Sequence, residues 1–105
     1  MRFSDLGLHT QLLASLDELG YQKPTPIQQA AIPEVLAGRD VLAGAQTGTG
    51  KTAAFALPLI QRYLTDQSPH NAIRVLVLTP TRELAQQVHQ SFVAYSQNTG
   101  LRSVV

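Results

Sequence analysis

Apolar residues recur at helical spacing in the first fifth of the chain. Residues 10–19 carry leucines every three or four positions, which predicts an amphipathic helix with one buried face, formed by Leu12, Leu13, Leu16 and Leu19. Gly20 follows this run and suits the left-handed conformation that often ends a helix. Leu6 and Leu8 precede the helix, and we expect both side chains to pack on it.

A second helix is predicted to begin at Thr25-Pro26. Thr25 can cap the helix, Pro26 suits its first position, and Gln28 stands three residues after the cap, as in a capping box. Pro33 is expected to interrupt or kink this helix, because proline lacks the N–H that the helix needs. Gly38 is expected to end it.

Short apolar runs then alternate with helical runs. Residues 40–44 are predicted to form a short buried strand, and residues 51–64 a helix that is apolar on almost every side and therefore covered on most faces. Pro58 is expected to bend that helix. Residues 66–72 are polar and predict a loop.

Residues 73–78 are apolar and β-branched enough to predict a strand that is covered on both faces. After a turn at 79–81, residues 82–97 predict a helix that 98–100 closes, and 101–105 resemble the start of another strand. The inward stripe of this helix is expected to be Leu84, Val88 and Phe92. Strands that alternate with helices predict an α/β fold, with a parallel sheet flanked by helices and about three strands within the chain.

Composition narrows the possible functions. The 105 residues are enough for one small domain, and 44% of them are hydrophobic. The net charge of +1 gives no overall attraction to nucleic acid, so any such binding must be local. The absence of cysteine excludes disulfides and cysteine-based zinc sites, and the three histidines lack metal-ligand spacing. With no signal peptide and no apolar run of membrane-spanning length, we expect a cytoplasmic protein without a membrane partner.

Residues 45–52 predict a phosphate-binding loop between the first strand and the helix that follows. Small residues let several backbone N–H groups converge on one anion, and the helix N-terminus adds its partial positive charge. The general pattern has glycine at its first position, whereas this chain has alanine. A glycine-rich turn without function is the alternative interpretation. The nucleotide-binding residues expected here are Ala45, Gln46, Thr47, Gly48, Thr49, Gly50, Lys51 and Thr52.

Three motifs in this order resemble the DEAD-box ATP-dependent RNA helicases. Residues 3–29, which contain Gly-Tyr-Gln-Lys-Pro-Thr-Pro-Ile-Gln, resemble the family's Q motif. Residues 45–52 resemble its motif I, in which alanine is the usual first residue, and residues 80–85 resemble its motif Ia. The resemblance covers essentially the whole chain. Within the family, the chain most resembles the bacterial RhlE-like subgroup. The resemblance implies that residues 1–105 are the N-terminal portion of the first RecA-like P-loop domain.

The resemblance implies that the Q motif reads the adenine of ATP. The amide of Gln28 offers one donor and one acceptor, which match the N6 amino group and N7 of adenine but not the two acceptors of guanine. Capping of the second helix remains an equal interpretation of Gln28 on the sequence alone. Phe3 and Tyr21 are candidates to pack on the base, or else they anchor the first helix. Lys23 and Thr25 complete the expected ATP contacts of this motif.

The other two motifs imply roles at the phosphates and at RNA. Lys51 is expected to bind the terminal phosphates, and Thr52 the Mg²⁺ that accompanies ATP. Motif Ia is expected to contact the RNA backbone without reading its sequence, through a helix N-terminus and the arginine charge. Ordinary helix capping is the alternative interpretation of that segment. The residues expected at RNA are Pro80, Thr81, Arg82 and Glu83.

The family's acidic Asp-Glu-Ala-Asp motif, its Ser-Ala-Thr motif and its second RecA-like domain do not occur in these residues. The resemblance implies that the parent protein is an enzyme. We expect this piece to be unable to hydrolyse ATP or unwind RNA alone, because phosphoryl transfer depends on positioned charges that the missing parts supply. Strand edges without partners predict self-association. The alternatives are a stand-alone, non-catalytic nucleotide- or RNA-binding module and another small P-loop NTPase.

Overall fold

The computed structural model describes residues 1–44, 50–66 and 73–105. A 3₁₀-helix at Phe3–Leu6 opens the chain, and four α-helices follow within these ranges: α1 (Thr10–Glu18), α2 (Pro26–Leu36), α3 (Lys51–Thr65) and α4 (Arg82–Tyr95). All four predicted helices are thus present, with ends that differ from the prediction by no more than a few residues. None of them is long and apolar enough to cross a membrane.

Local chemistry explains where the first two helices begin and end. The His9 imidazole accepts the N–H of Gln11 at 3.2 Å and so caps α1. Thr25 caps α2, and Gly20 and Gly38 follow the two helices with positive φ angles of 80° and 82°. Side chains with a Cβ rarely adopt that conformation, so glycine at these two positions fixes where each helix stops.

The prolines do not interrupt the helices that contain them. Pro33 lies inside α2 and Pro58 inside α3, and both helices continue beyond them. A proline in a helix interior costs about 3 kcal/mol, because it removes one hydrogen bond and crowds the preceding turn. Burial on either side offsets this loss: Ile32 in α2 and Leu57 in α3 have no exposed surface. The predicted interruption at Pro33 is therefore wrong.

Helix α3 lies at the centre of the fold, where α2 and α4 pack against it, and α1 packs against α4. The prediction that other elements pack against most faces of α3 is confirmed, since most of its apolar side chains are buried. Leu6 and Leu8 are buried in the same core as α1, as expected. The core consists of Phe3, Leu6, Leu8, Leu12, Leu16, Ile32, Ala53, Ala56, Leu57, Ile60, Val88, Phe92 and Tyr95.

Two residues assigned to inward stripes lie at the surface instead. Leu19 is 40% exposed, because α1 has already ended at Glu18 and Leu19 is its C-cap. Leu84, in the first turn of α4, is 38% exposed. The buried stripe of α4 is formed by Val88, Phe92 and Tyr95.

The described residues contain no β-strand, so the predicted parallel sheet is not confirmed. Segments 40–44, 73–78 and 101–105 carry no ladder hydrogen bonds to one another. A helix satisfies its backbone groups locally, whereas a strand needs a lateral partner. Val75, Val77 and Leu101 still pack against the core and are half-buried. Other apolar side chains of these segments are exposed: Leu42 fully and Ile73 at 91%.

Candidate functional site

The first turn of α2 is closed by two reciprocal hydrogen bonds between Thr25 and Gln28. The Thr25 N–H donates to Gln28 Oε1 at 2.9 Å, and the Gln28 N–H donates to Thr25 Oγ1 at 3.4 Å. This is a capping box, in which two backbone donors at the helix start are satisfied. The capping interpretation of Gln28 is therefore confirmed.

Gln28 also reaches the residue that precedes α3. Its Nε2 donates to the carbonyl oxygen of Gly50 at 3.1 Å, and the side chain is only 3% exposed. Gly50 has a φ of 84°, and a Cβ added there would collide with the Gln28 amide. Glycine is therefore required at position 50 for two reasons, the left-handed backbone and the close approach of Gln28.

The start of α3 places the expected phosphate ligands together. Lys51 is the first residue of the helix and is exposed, while Thr52 follows it and is half-buried. The backbone N–H groups of this first turn have no partner within the helix, and the helix dipole adds partial positive charge to them. Residues 45–49, which include five of the predicted loop residues, lie outside the described residues.

This donor set fits the phosphates of a nucleotide. Lys51 supplies a full positive charge, backbone N–H groups supply neutral donors, and the Thr52 hydroxyl is the type of ligand that Mg²⁺ takes beside phosphate oxygens. The described residues hold no group of three or more His, Cys, Asp or Glu that could bind a metal alone.

The same hydrogen bonds reduce the number of groups on the Gln28 amide that could bind an adenine base. With one bond at each end of the amide, a single N–H and a single lone pair remain, and the side chain is buried. Base recognition by Gln28 therefore requires either these two remaining groups or release of the bond to Gly50. Lys23, the other polar candidate in this motif, is exposed.

The two aromatic candidates differ in exposure. Phe3 is buried at 5% exposure in the core, whereas Tyr21 is 39% exposed and stands 6.3 Å from it, ring centre to ring centre. Phe3 therefore anchors the N-terminal segment in this structure, and Tyr21 is the ring with a free surface. Tyr95, which the sequence analysis missed, holds the Tyr21 hydroxyl with its own at 2.9 Å.

Burial raises the pKa of the Tyr95 phenol well above its ordinary range, and the hydrogen bond to Tyr21 adds to the increase. Tyr95 continues the inward stripe of α4 three residues after Phe92, and that spacing was a signal for its burial. Its polar partner could not be predicted, because Tyr21 is 74 residues away in the chain.

The predicted RNA-contact residues lie at the start of α4, and all four are exposed. Thr81 Oγ1 accepts the N–H of Leu84 at 3.1 Å and so caps the helix, with Glu83 in the first turn. Within the described ranges, the Arg82 side chain has neither a hydrogen bond nor an ion pair. The capping interpretation is confirmed, and it leaves the arginine charge available at the surface.

A groove of about 1010 Å³ lies elsewhere, between α4 and the segments predicted to be strands. Its lining is mostly apolar and includes Val75, Val77, Phe92 and Leu101, but none of the predicted site residues. Three of its lining residues, Val75, Val77 and Leu101, also pack against the hydrophobic core.

Residues 25–105 match the family model described as DEAD/DEAH box helicase. The chain is 54% identical over 100 residues to DEAD-box ATP-dependent RNA helicase 28 of Oryza sativa subsp. japonica, covering 95% of this chain and 12% of that protein. It is 50% identical over 102 residues to the DEAD-box ATP-dependent RNA helicase RhpA of Helicobacter pylori, covering 97% of this chain and 20% of that protein.

The fold matches a solved structure of the RNA-helicase Prp28 from Chaetomium thermophilum bound to ADP. The TM-score is 0.88 with 41% sequence identity, and the match covers 98% of this chain and 26% of that chain. The fold is therefore that of part of a RecA-like helicase domain. The chain is similarly identical to plant and bacterial relatives, so the RhlE-like subgroup is not confirmed. The family model matches most of the chain, which shows that the chain belongs to the DEAD/DEAH box helicase family.

Proposed function

We propose that this chain supplies the ATP-binding part and an RNA-backbone contact of a DEAD-box ATP-dependent RNA helicase. The observation that carries the proposal is the hydrogen-bonded cluster of Thr25, Gln28 and Gly50, which lies directly before Lys51. It brings the predicted base-reading and phosphate-binding motifs into contact within one folded unit. The chain spans only 12% and 20% of the two relatives described above, so the activity of the longer protein belongs to this proposal.

The residues have separate roles in this proposal. Lys51 and the N–H groups of the first turn of α3 bind the terminal phosphates, and Thr52 provides one oxygen to Mg²⁺. ATP, when bound, supplies the phosphoryl group whose transfer drives the helicase, and the chain's own residues position and neutralise that group. The start of α4 binds RNA through its backbone, independently of sequence.

The proposal has three further parts. The chain alone binds ATP without hydrolysing it, because it carries no Asp-Glu-Ala-Asp motif. Segments 40–44, 73–78 and 101–105 form parallel strands when lateral partners are supplied, as the likeness to a RecA-like domain supports. The helicase acts in the cytoplasm.

Calorimetric titration of the chain with ATP and with inorganic phosphate tests the proposal. We expect weak binding of both ligands and a strong loss with Lys51→Ala, because the lysine charge and the helix N-terminus act on the same anion. Arg62→Ala is the matched control, since it removes one positive charge from the other end of the same helix. Equal binding by wild type and Lys51→Ala would show that the phosphate site is not formed as proposed.

A further inference from the structure

The segment 21–25, here called the strap, connects α1 to α2 and is anchored at both ends. At its start, the Tyr21 N–H donates to the carbonyl oxygen of Leu16 at 2.9 Å. At its end, Gln29 Nε2 donates to the carbonyl oxygen of Pro24 at 3.0 Å, and Thr25 belongs to the capping box. The strap therefore has little freedom of its own, and the orientation of its Tyr21 ring depends on what holds that ring.

Two rings hold Tyr21. Tyr95 meets it edge-on, with ring centres 5.8 Å apart and planes at 73°, and the two hydroxyl groups are 2.9 Å apart. Phe3 packs on it from the core. Tyr95 is only 4% exposed, so a buried phenol fixes the outer end of a ring that is itself 39% exposed. The hydroxyl bond thus limits how far the exposed ring can turn.

The end of α4 that carries Tyr95 is itself fixed to α1. Asn98 Nδ2 donates to Ser15 Oγ at 3.1 Å, and Gln97 Nε2 donates to Glu18 Oε2 at 2.7 Å. Ser15 is fully buried. Tyr95 is therefore a rigid support and not a second mobile side chain, which is what a positioning residue requires.

We propose that Tyr95 is a positioning residue for purine-nucleotide binding, which holds the exposed ring of Tyr21 in the orientation that stacks on the base. The inference rests on the proposed nucleotide-binding function. Tyr21 is four residues from Thr25, which belongs to the Gln28 cluster, so the Cα atoms of these two residues lie within about 14 Å of each other. Stacking does not distinguish one base from another, because every base has a π-face. Tyr95 therefore contributes to affinity for both ATP and GTP.

Titration with three ligands separates this role from a general loss of structure. ATP and GTP carry a base, whereas inorganic tripolyphosphate presents only phosphates to α3. For Tyr95→Phe we expect the dissociation constants of ATP and GTP to rise by about two- to tenfold, as for the loss of one ordinary hydrogen bond, and that of tripolyphosphate to stay unchanged.

Tyr21→Phe provides the second variant, since it removes the same hydrogen bond from the exposed partner and keeps the stacking ring. We expect it to give the same selective loss, and the double variant to be no weaker than either single variant. This variant also keeps the test decisive if Tyr95→Phe does not fold.

Each other outcome has a distinct meaning. If the wild-type chain binds none of the three ligands, the proposed function fails and the inference fails with it. If the wild type binds and both phenylalanine variants bind ATP equally well, only the role of Tyr95 is overturned. A uniform weakening of all three ligands also overturns it, because that result describes a structural residue.

Discussion

Gln28 Nε2 donates to the carbonyl oxygen of Gly50 at 3.1 Å, across 22 residues of sequence. The bond joins the first turn of α2 to the residue directly before α3, and the same carbonyl accepts the N–H of Ala54 at 3.1 Å. The side chain predicted to read a base is thus in contact with the loop predicted to hold phosphates. A change at either residue is expected to be felt by the other.

Gln28→Ala is expected to lower both stability and nucleotide discrimination. Loss of the capping box and of the bond to Gly50 should reduce the free energy of unfolding by about 1–3 kcal/mol. The preference for ATP over GTP should also fall, because the amide no longer matches adenine. Urea unfolding and paired ATP and GTP titrations measure the two effects.

Gln29→Ala is the matched control for this variant, because Gln29 is the next residue and its amide, among the described residues, bonds the carbonyl oxygen of Pro24 and not Gly50. It should leave the ATP-to-GTP ratio unchanged. If Gln28→Ala loses stability but keeps the wild-type ratio, Gln28 is a helix cap and a support for Gly50, and does not read the base.

Gly50→Ala is expected to destabilise the chain more than Gly38→Ala. Both glycines have nearly the same positive φ, 84° and 82°, so the backbone strain should be about 1–2 kcal/mol at each. Only at Gly50 would the added Cβ meet another side chain, the amide of Gln28, whereas at Gly38 it would enter open space. We expect a further loss of about 1–3 kcal/mol at Gly50. Thermal or urea unfolding of the two variants gives the comparison.

The double variant Gln28→Ala/Gly50→Ala isolates the collision. Because the alanine at position 28 removes the amide, the second substitution should destabilise less in that background than in the wild type. Strictly additive losses would mean that the added methyl group is accommodated without disturbing the bonds of Gln28, and that Gly50 is required for its backbone alone.

Tyr95 should make the stability of the chain fall at high pH. Its pKa is raised in the folded state by burial and by the bond to Tyr21, so the unfolded chain releases this proton first, at about pH 10. Since the folded state then binds more protons, the free energy of unfolding decreases as pH rises above about 10, by at most about 1.4 kcal/mol per pH unit. Urea unfolding of wild type and Tyr95→Phe at about pH 9 and pH 11 tests this. Equal pH slopes for the two proteins would contradict it.

Arg82→Ala should weaken RNA binding without changing its sequence preference. If Arg82 contacts one phosphate, the dependence of affinity on salt should become shallower by about 0.7–1 in log–log slope. Titrations with two single-stranded homopolymers at several salt concentrations measure both properties. Arg39→Ala is the control, because Arg39 is paired with Glu34 at 2.8 Å and lies outside the motif. A loss confined to one homopolymer would argue for base contacts instead.

The chain alone is expected to self-associate. Apolar side chains remain exposed along segment 73–78, with Ile73 at 91%, Leu76 at 79% and Leu78 at 84%. Such segments recruit other chains through their unpaired backbone groups and apolar faces. Size-exclusion chromatography with light scattering should show oligomers at high micromolar concentration, and Leu76→Lys should shift them toward monomer. A compact monomer that unfolds cooperatively would contradict this and favour a stand-alone module.

The sequence by itself determined the helices and the motifs on them. Helix ends are fixed by hydrogen bonds and backbone angles that involve only near neighbours in the sequence. The residues that fix them could therefore be predicted from the local sequence: Thr25, Gln28, Gly20 and Gly38. The capping box at α2 and the position of Lys51 at the start of α3 are of this kind. A motif is recognised from the order of its residues alone, without knowledge of the tertiary structure, and for that reason the family could be predicted.

Only the tertiary structure decided which groups meet across long separations in sequence. The bonds from Gln28 to Gly50 and from Tyr21 to Tyr95 depend on how α2, α3 and α4 pack, and no local pattern encodes them. The same dependence explains the segments predicted as strands. Their apolar runs indicate a sheet, but a strand forms only when a neighbour completes its hydrogen bonds, whereas a helix needs only its own residues.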